Sequence, residues 1–141
     1  IAPMPLVAAY TASKYAIEGF SESLAYELAE FGVRVKIVQP GLAPTTSFAA
    51  NSGGRCDNTI PPAYADCASR YMKSMRDYAT AYTKAEDVAE AVYTAATDGN
   101  NRLRYPAGAD SVLLAELRRS LPEEDFRDRI RTMTGMGIGR F

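Results

Sequence analysis

The chain has 141 residues, 47% hydrophobic and 23% charged, with 16 basic side chains against 17 acidic ones and a net charge of -1. That balance describes one globular domain and offers no basic surface to nucleic acid or to an anionic membrane. Histidine is absent and Cys56 and Cys67 are the only thiols, which excludes the usual Cys/His zinc sites, Ser-His-Asp triads and Cys-His catalysis, leaving acid and base chemistry to Tyr, Lys and carboxylates.

No apolar run reaches the roughly 20 residues needed to cross a bilayer, and two cysteines do not make a disulfide scaffold. The sequence therefore reads as a soluble, cytoplasmic protein with free thiols. It begins with Ile1 and shows no targeting pattern, so it is expected to be the carboxyl-terminal half of a longer protein.

In residues 1–9, Pro3 and Pro5 bar regular helix until about Val7. Tyr10-Thr11-Ala12-Ser13-Lys14 then opens a helix predicted over residues 9–31. Its apolar residues Ala16, Ile17, Phe20, Leu24, Leu28 and Phe31 recur at three and four, which predicts one buried stripe along about 30 Å of helix, closed by Gly32. At four-residue spacing Tyr10 and Lys14 share a face, about 6 Å apart between Cβ atoms. A cation beside a phenol favours its charged form, which suits proton exchange near neutral pH; a core Tyr beside a solvated Lys is the other reading of the bare pair.

Residues 33–38, with Val33, Val35, Ile37 and Val38, read as a buried parallel strand. Open parallel sheets bind ligands at the carboxyl ends of their strands. There the chain places Pro40-Gly41-Leu42-Ala43-Pro44-Thr45. Gly41 admits close backbone approach, the following amide and carbonyl groups can pair with a planar carboxamide, and Thr45 adds a hydroxyl.

Residues 46–62 read as a loop, and residues 63–82 as one or two helices carrying Tyr64, Tyr71, Met72, Met75, Tyr78 and Tyr82. Such aromatic and Met surface suits a lipophilic ligand or ordinary packing, whereas Arg55, Arg70 and Arg76 would answer an anionic one. Thr83-Lys84-Ala85-Glu86 has the pattern of a capping box and opens a helix to about Asp98. A last strand is expected over residues 103–106. Next come a helix over residues 110–121 with Val112, Leu113, Leu114 and Leu117 inward, a Pro122-led helix to about Met133, and a frayed Gly-rich tail from Gly135.

The Tyr-Thr-Ala-Ser-Lys run, the helix it opens, the Gly32-Val33 turn into the strand and the Pro-Gly-x-x-x-Thr run together resemble the short-chain dehydrogenase/reductase family in its single-domain Rossmann branch. The resemblance continues more loosely to about Leu121. It implies an α/β fold, the carboxyl-terminal half of a doubly wound parallel sheet with about two strands present. Residues 1–141 would be one partial nucleotide-binding domain, and residues 46–82 its substrate loop or lid.

The resemblance further implies an oxidoreductase exchanging hydride between NAD or NADP and an alcohol or ketone, with no preference between the two cofactors legible. Tyr10 would exchange the proton. Lys14 would assist it and bind the nicotinamide ribose, while Pro40, Gly41, Leu42, Ala43 and Thr45 seat the ring. Met4, Pro5 and Leu6 would border the substrate. No metal is implied, the intact protein is expected to be a homo-oligomer, and the isolated chain is expected to be inactive. Two other readings remain: a sugar-nucleotide epimerase or dehydratase, and a non-catalytic dimerisation or regulatory module of the same fold.

Overall fold

A computed structural model of the chain describes residues 1–44, 46–47, 60–77 and 82–137. The first element is helix α1, Ala8–Ala29, a stretch rich in Ala, with three Glu and no proline, which favours helix. Leu6, just before it, takes the left-handed conformation at φ 65°. The helix closes through Gly32: its N–H donates to the Ala29 carbonyl at 3.0 Å, and the Val33 N–H donates to the Leu28 carbonyl at 3.1 Å. That pairing satisfies the last carbonyls of the helix.

Strand β1, Ile37–Pro40, runs parallel to strand β2, Arg104–Ala107, with Ile37 opposite Arg104 and Pro40 opposite Ala107. Between them come a 3-10 turn, Pro62–Tyr64, and helices α2, Ala65–Asp77, and α3, Ala85–Thr97. Helix α4, Ala109–Ser120, and helix α5, Glu123–Met133, follow β2. The described residues thus form a helix-rich α/β unit on a two-stranded parallel sheet. Helix α3 packs on both strands and α4 on β2.

The strand register is held from outside the ladder by Lys36. Its ammonium donates to the carbonyls of Asn100 at 2.7 Å and Arg102 at 3.0 Å, reaches the Tyr105 hydroxyl at 2.8 Å, and faces Asp98 at 3.4 Å. The Tyr105 hydroxyl in turn donates to Asp98 Oδ2 at 2.5 Å. A nearly buried ammonium needs this many partners to offset its lost hydration. The turn into β2 is therefore tied to the residue that precedes β1.

The buried core is small: Ile37, Tyr105 and Ala107 of the sheet, Ala95 of α3, Ala68 of α2, and Phe126 and Ile130 of α5. Burying Phe126 alone contributes about 2–3 kcal/mol. The Arg118 guanidinium lies 4.9 Å from its ring centroid.

Several expectations need correction. No residue of α1 is buried; Ile17, Phe20 and Phe31 of the expected stripe are 53%, 67% and 78% exposed. Periodicity marks the face that seeks cover, and no described element of this chain covers it. The first strand starts four residues later than expected and the last strand one residue later, because a strand forms only where its partner runs beside it. Val112 and Leu113 of α4 are exposed, and the buried face of that helix instead starts with Asp110 and Ser111. The α3 cap falls on Lys84, whose N–H donates to Asp87 at 2.8 Å, and this leaves the Thr83 side chain for another use.

Thr134 is buried, and the half-buried, free Cys67 thiol lies 3.4 Å from the Met136 sulfur. Cys56, Arg55 and Tyr78 fall outside the described residues.

The Tyr105 hydroxyl, followed by the Asn100 N–H and the Lys36 ammonium, holds the Asp98 carboxyl below its ordinary value against a smaller opposing effect of burial. A carboxylate favoured by the folded state stabilises it above the ordinary carboxylate range, and this contribution is lost as pH falls through the lowered value. Asp98→Asn should accordingly flatten the acid limb of the stability curve. Melting temperatures followed from about pH 5 to about pH 3 test this, and limbs of equal slope in wild type and variant would refute it.

Candidate active site

Tyr10 and Lys14 project from the first turns of α1. The Lys14 ammonium lies 5.3 Å from the Tyr10 ring centroid, over the ring, and the phenol side chain is 48% exposed. The Ser13 hydroxyl donates to the Tyr10 carbonyl at 2.7 Å. Cation and phenol are thus side by side and open to ligand.

Continuing at four-residue spacing, the same helix face carries Glu18 and Glu22, and these two join α1 to the sheet. Gln39 of β1 donates to Glu18 at 2.7 Å. Arg104 of β2 pairs with Glu18 at 2.9 Å and with Glu22 at 2.6 Å. Since Arg104 stands opposite Ile37, the later carboxylate lies at the start of the ladder and the earlier one reaches towards its end, so α1 runs antiparallel to the strands. One helical turn before Glu18 spans about 6 Å, as do two strand residues beyond Gln39. The Tyr10–Lys14 turn therefore lies towards the bend that begins at Gly41.

That bend is held by a buried polar cluster. The Gly41 N–H donates to the Ala107 carbonyl at 3.0 Å, and the Leu42 carbonyl accepts from the Thr83 N–H at 3.0 Å. Asp110, 4% exposed in the first turn of α4, accepts from the Leu42 N–H at 2.6 Å and from the Thr83 hydroxyl at 2.6 Å. The neighbouring Ser111 hydroxyl donates to the Gln39 carbonyl at 2.6 Å. A buried carboxylate with no ion pair among the described residues needs such donors, and the helix N-terminus adds a favourable field.

Two glycines make the cluster possible. A Cβ on Gly41 would overlap the Asp110 carboxylate, and one on Gly108, at φ 89°, would collide with the Thr83 side chain.

Of the ring-seating residues expected from sequence, Pro40 ends β1, Gly41 is the crowded corner, and both peptide groups of Leu42 turn inward. This corrects the expectation that the groups directly after Gly41 face a ligand. Ala43 differs: its N–H has no protein acceptor among the described residues, and its carbonyl accepts from the Thr46 N–H and hydroxyl. Thr45 lies outside the described residues.

Met4 and Pro5 line an open cleft of about 550 Å³ with Tyr15, Phe126 and Ile130. Leu6 does not border it. Within residues 46–82, α2 rests on the carboxyl-terminal turn through Cys67 and Met136, and Tyr64 and Met72 are exposed.

The chain is similar to known proteins over most of its length. Residues 1–54 match the short chain dehydrogenase family model. The chain is 32% identical over 136 residues to an uncharacterised oxidoreductase of Schizosaccharomyces pombe, covering 94% of this chain and 54% of that protein. The chain belongs to the short-chain dehydrogenase/reductase family. Other family relatives are the Bacillus subtilis oxidoreductase YusZ, 32% identical over 122 residues, 83% of this chain and 42% of that one. Mouse 17-beta-hydroxysteroid dehydrogenase type 1 is 32% identical over 122 residues, with 84% and 35% covered. The chain spans about half the length of the S. pombe relative and less of the others.

Asp110, Thr83, Ser111, Gln39 and Glu18 were not singled out as site residues by sequence reasoning. The one available signal was an adjacent Asp and Ser opening a helix directly after a strand and a glycine.

Gly41→Ala should cost about 2 kcal/mol or more, because its methyl group must displace a buried carboxylate bonded on both oxygens. Denaturant unfolding would measure it, and a loss below about 0.5 kcal/mol would show that the corner relaxes freely.

Proposed function

We propose that this chain carries the proton-exchanging and ring-seating part of an oxidoreductase that uses NAD or NADP and acts on an alcohol or ketone. The observation that supports it is the helix face Tyr10, Lys14, Glu18 and Glu22, docked through Gln39 and Arg104 so that phenol and ammonium lead towards the Gly41 bend. In this reading the nicotinamide, when bound, supplies or accepts the hydride. Tyr10 gives a proton to the substrate oxygen, or takes it, at its hydroxyl oxygen. Lys14 keeps a positive charge beside the ring on which negative charge develops, and its remaining donors suit a ribose hydroxyl.

The bend suits a carboxamide. The Ala43 N–H has no protein acceptor among the described residues, and a backbone amide on a crowded, well-bonded corner is a fixed donor for a planar acceptor. Lys14, Ala43 and Thr45 would hold the cofactor's nicotinamide end. The substrate class we favour is a lipophilic alcohol or ketone, bordered by Met4 and Pro5 and by the aromatic and Met side chains of α2. The mouse relative named for a hydroxysteroid supports that class.

Tyr10→Phe in the full-length protein should lower kcat about 100-fold or more while leaving cofactor binding near wild type. Turnover that survives the change would remove Tyr10 as the proton donor. The 141-residue chain by itself should show no cofactor-dependent turnover, since no described element covers the exposed face of α1. Cofactor-dependent turnover by a clean monomer of this chain would overturn that.

A further inference from the structure

We propose that Asp110 is a positioning residue for the cofactor, acting through the Leu42 peptide to set the bend that seats the nicotinamide ring, with Thr83 as its partner. The proposal rests on the nicotinamide reading above. A loop that turns after a strand has two ways to aim its amides. Here the choice is made by one carboxylate: Asp110 takes the Leu42 N–H at 2.6 Å, and Thr83, from the start of another element, gives its N–H to the Leu42 carbonyl at 3.0 Å. Held at both ends, the Leu42 residue cannot turn, and the next amide, Ala43 N–H, has no protein acceptor among the described residues.

The Thr83 hydroxyl completes the device. It donates to Asp110 Oδ1 at 2.6 Å, with the Ala107 carbonyl 3.2 Å away. Both side chains are nearly sealed from solvent, at 4% for Asp110 and 1% for Thr83, and their space exists because Gly41 and Gly108 have no Cβ. The cluster draws on three separate segments: the bend after β1, the second residue before α3, and the turn from β2 into α4. A carboxylate is the right acceptor here, because two donors approach it from different segments and each oxygen serves one of them.

Asp110→Ala leaves the Leu42 N–H buried without its acceptor and the Thr83 hydroxyl with only the Ala107 carbonyl, so the bend should relax and the ring should lose its fixed seat. Asp110→Asn should restore the geometry, because its carbonyl oxygen can accept from Leu42 while its amide donates to a Thr83 hydroxyl turned towards Ala107. Thr83→Val keeps the shape and removes one donor.

The test measures binding to the full-length protein of two probes that differ only in the ring: the preferred one of NAD and NADP, and the matching ADP-ribose or its 2′-phosphate. Asp110→Ala should weaken the dinucleotide about tenfold or more and leave the ringless probe within about twofold; Asp110→Asn should lie within about threefold of wild type for both, and Thr83→Val between the two. A merely structural residue would weaken both probes alike. Equal weakening of both probes, or no weakening of either, overturns the proposal and leaves the nicotinamide reading standing. A wild-type protein that binds neither probe overturns both. Should Asp110→Ala fail to fold, Thr83→Val must show the same split between probes, and its absence there overturns the proposal.

Discussion

The carboxylate of Asp110 is the interaction on which the candidate site depends. A four-residue parallel ladder is short, and a backbone leaving its end could turn in several ways. Bonding both the N–H and the carbonyl of one residue in the bend removes that freedom, at the expense of burying an anion and of excluding every side chain from two glycine positions. Such an arrangement tolerates few substitutions, because the anion, its two donors and the vacant Cβ positions must change together.

The helix that bears Tyr10 and Lys14 is attached by different physics. Its contacts with the sheet are polar, through Glu18 and Glu22 to Gln39 and Arg104, and its apolar side chains remain exposed. Polar groups with directional bonds fix the rotation and direction of a helix better than an apolar stripe, which tolerates sliding. Apolar burial, which supplies most of a helix's stability in a protein, is not provided to this face by any described residue.

Most of the architecture was legible in the residues. Helical periodicity located α1, a capping pattern α3 and a leading proline α5, the Val/Ile-rich run located β1 to within a few residues, and Tyr10-Lys14 with Pro40-Gly41 marked the ends of the candidate site. What periodicity could not supply was the partner of each surface: it marked Phe20 and Phe31 as a face seeking cover and could not say that no described part of this chain provides it. Local patterns also misread residues whose role is set at long range. Thr83 looks like a helix cap because Glu86 stands three residues on, yet its hydroxyl serves Asp110, 27 residues away. Asp110 looks like an ordinary helix-opening acid, and only its approach to Leu42, 68 residues distant, reveals its work.

The attachment of α1 through Arg104 has one more consequence. Its ion pairs are partly open to solvent, with the Arg104 side chain 39% and the Glu22 side chain 47% exposed, so dissolved ions screen them while the sealed Asp110 cluster hardly feels the same ions. Rising ionic strength consequently loosens the seat of the phenol before it disturbs the bend, and the two halves of the site respond differently to the medium that bathes them.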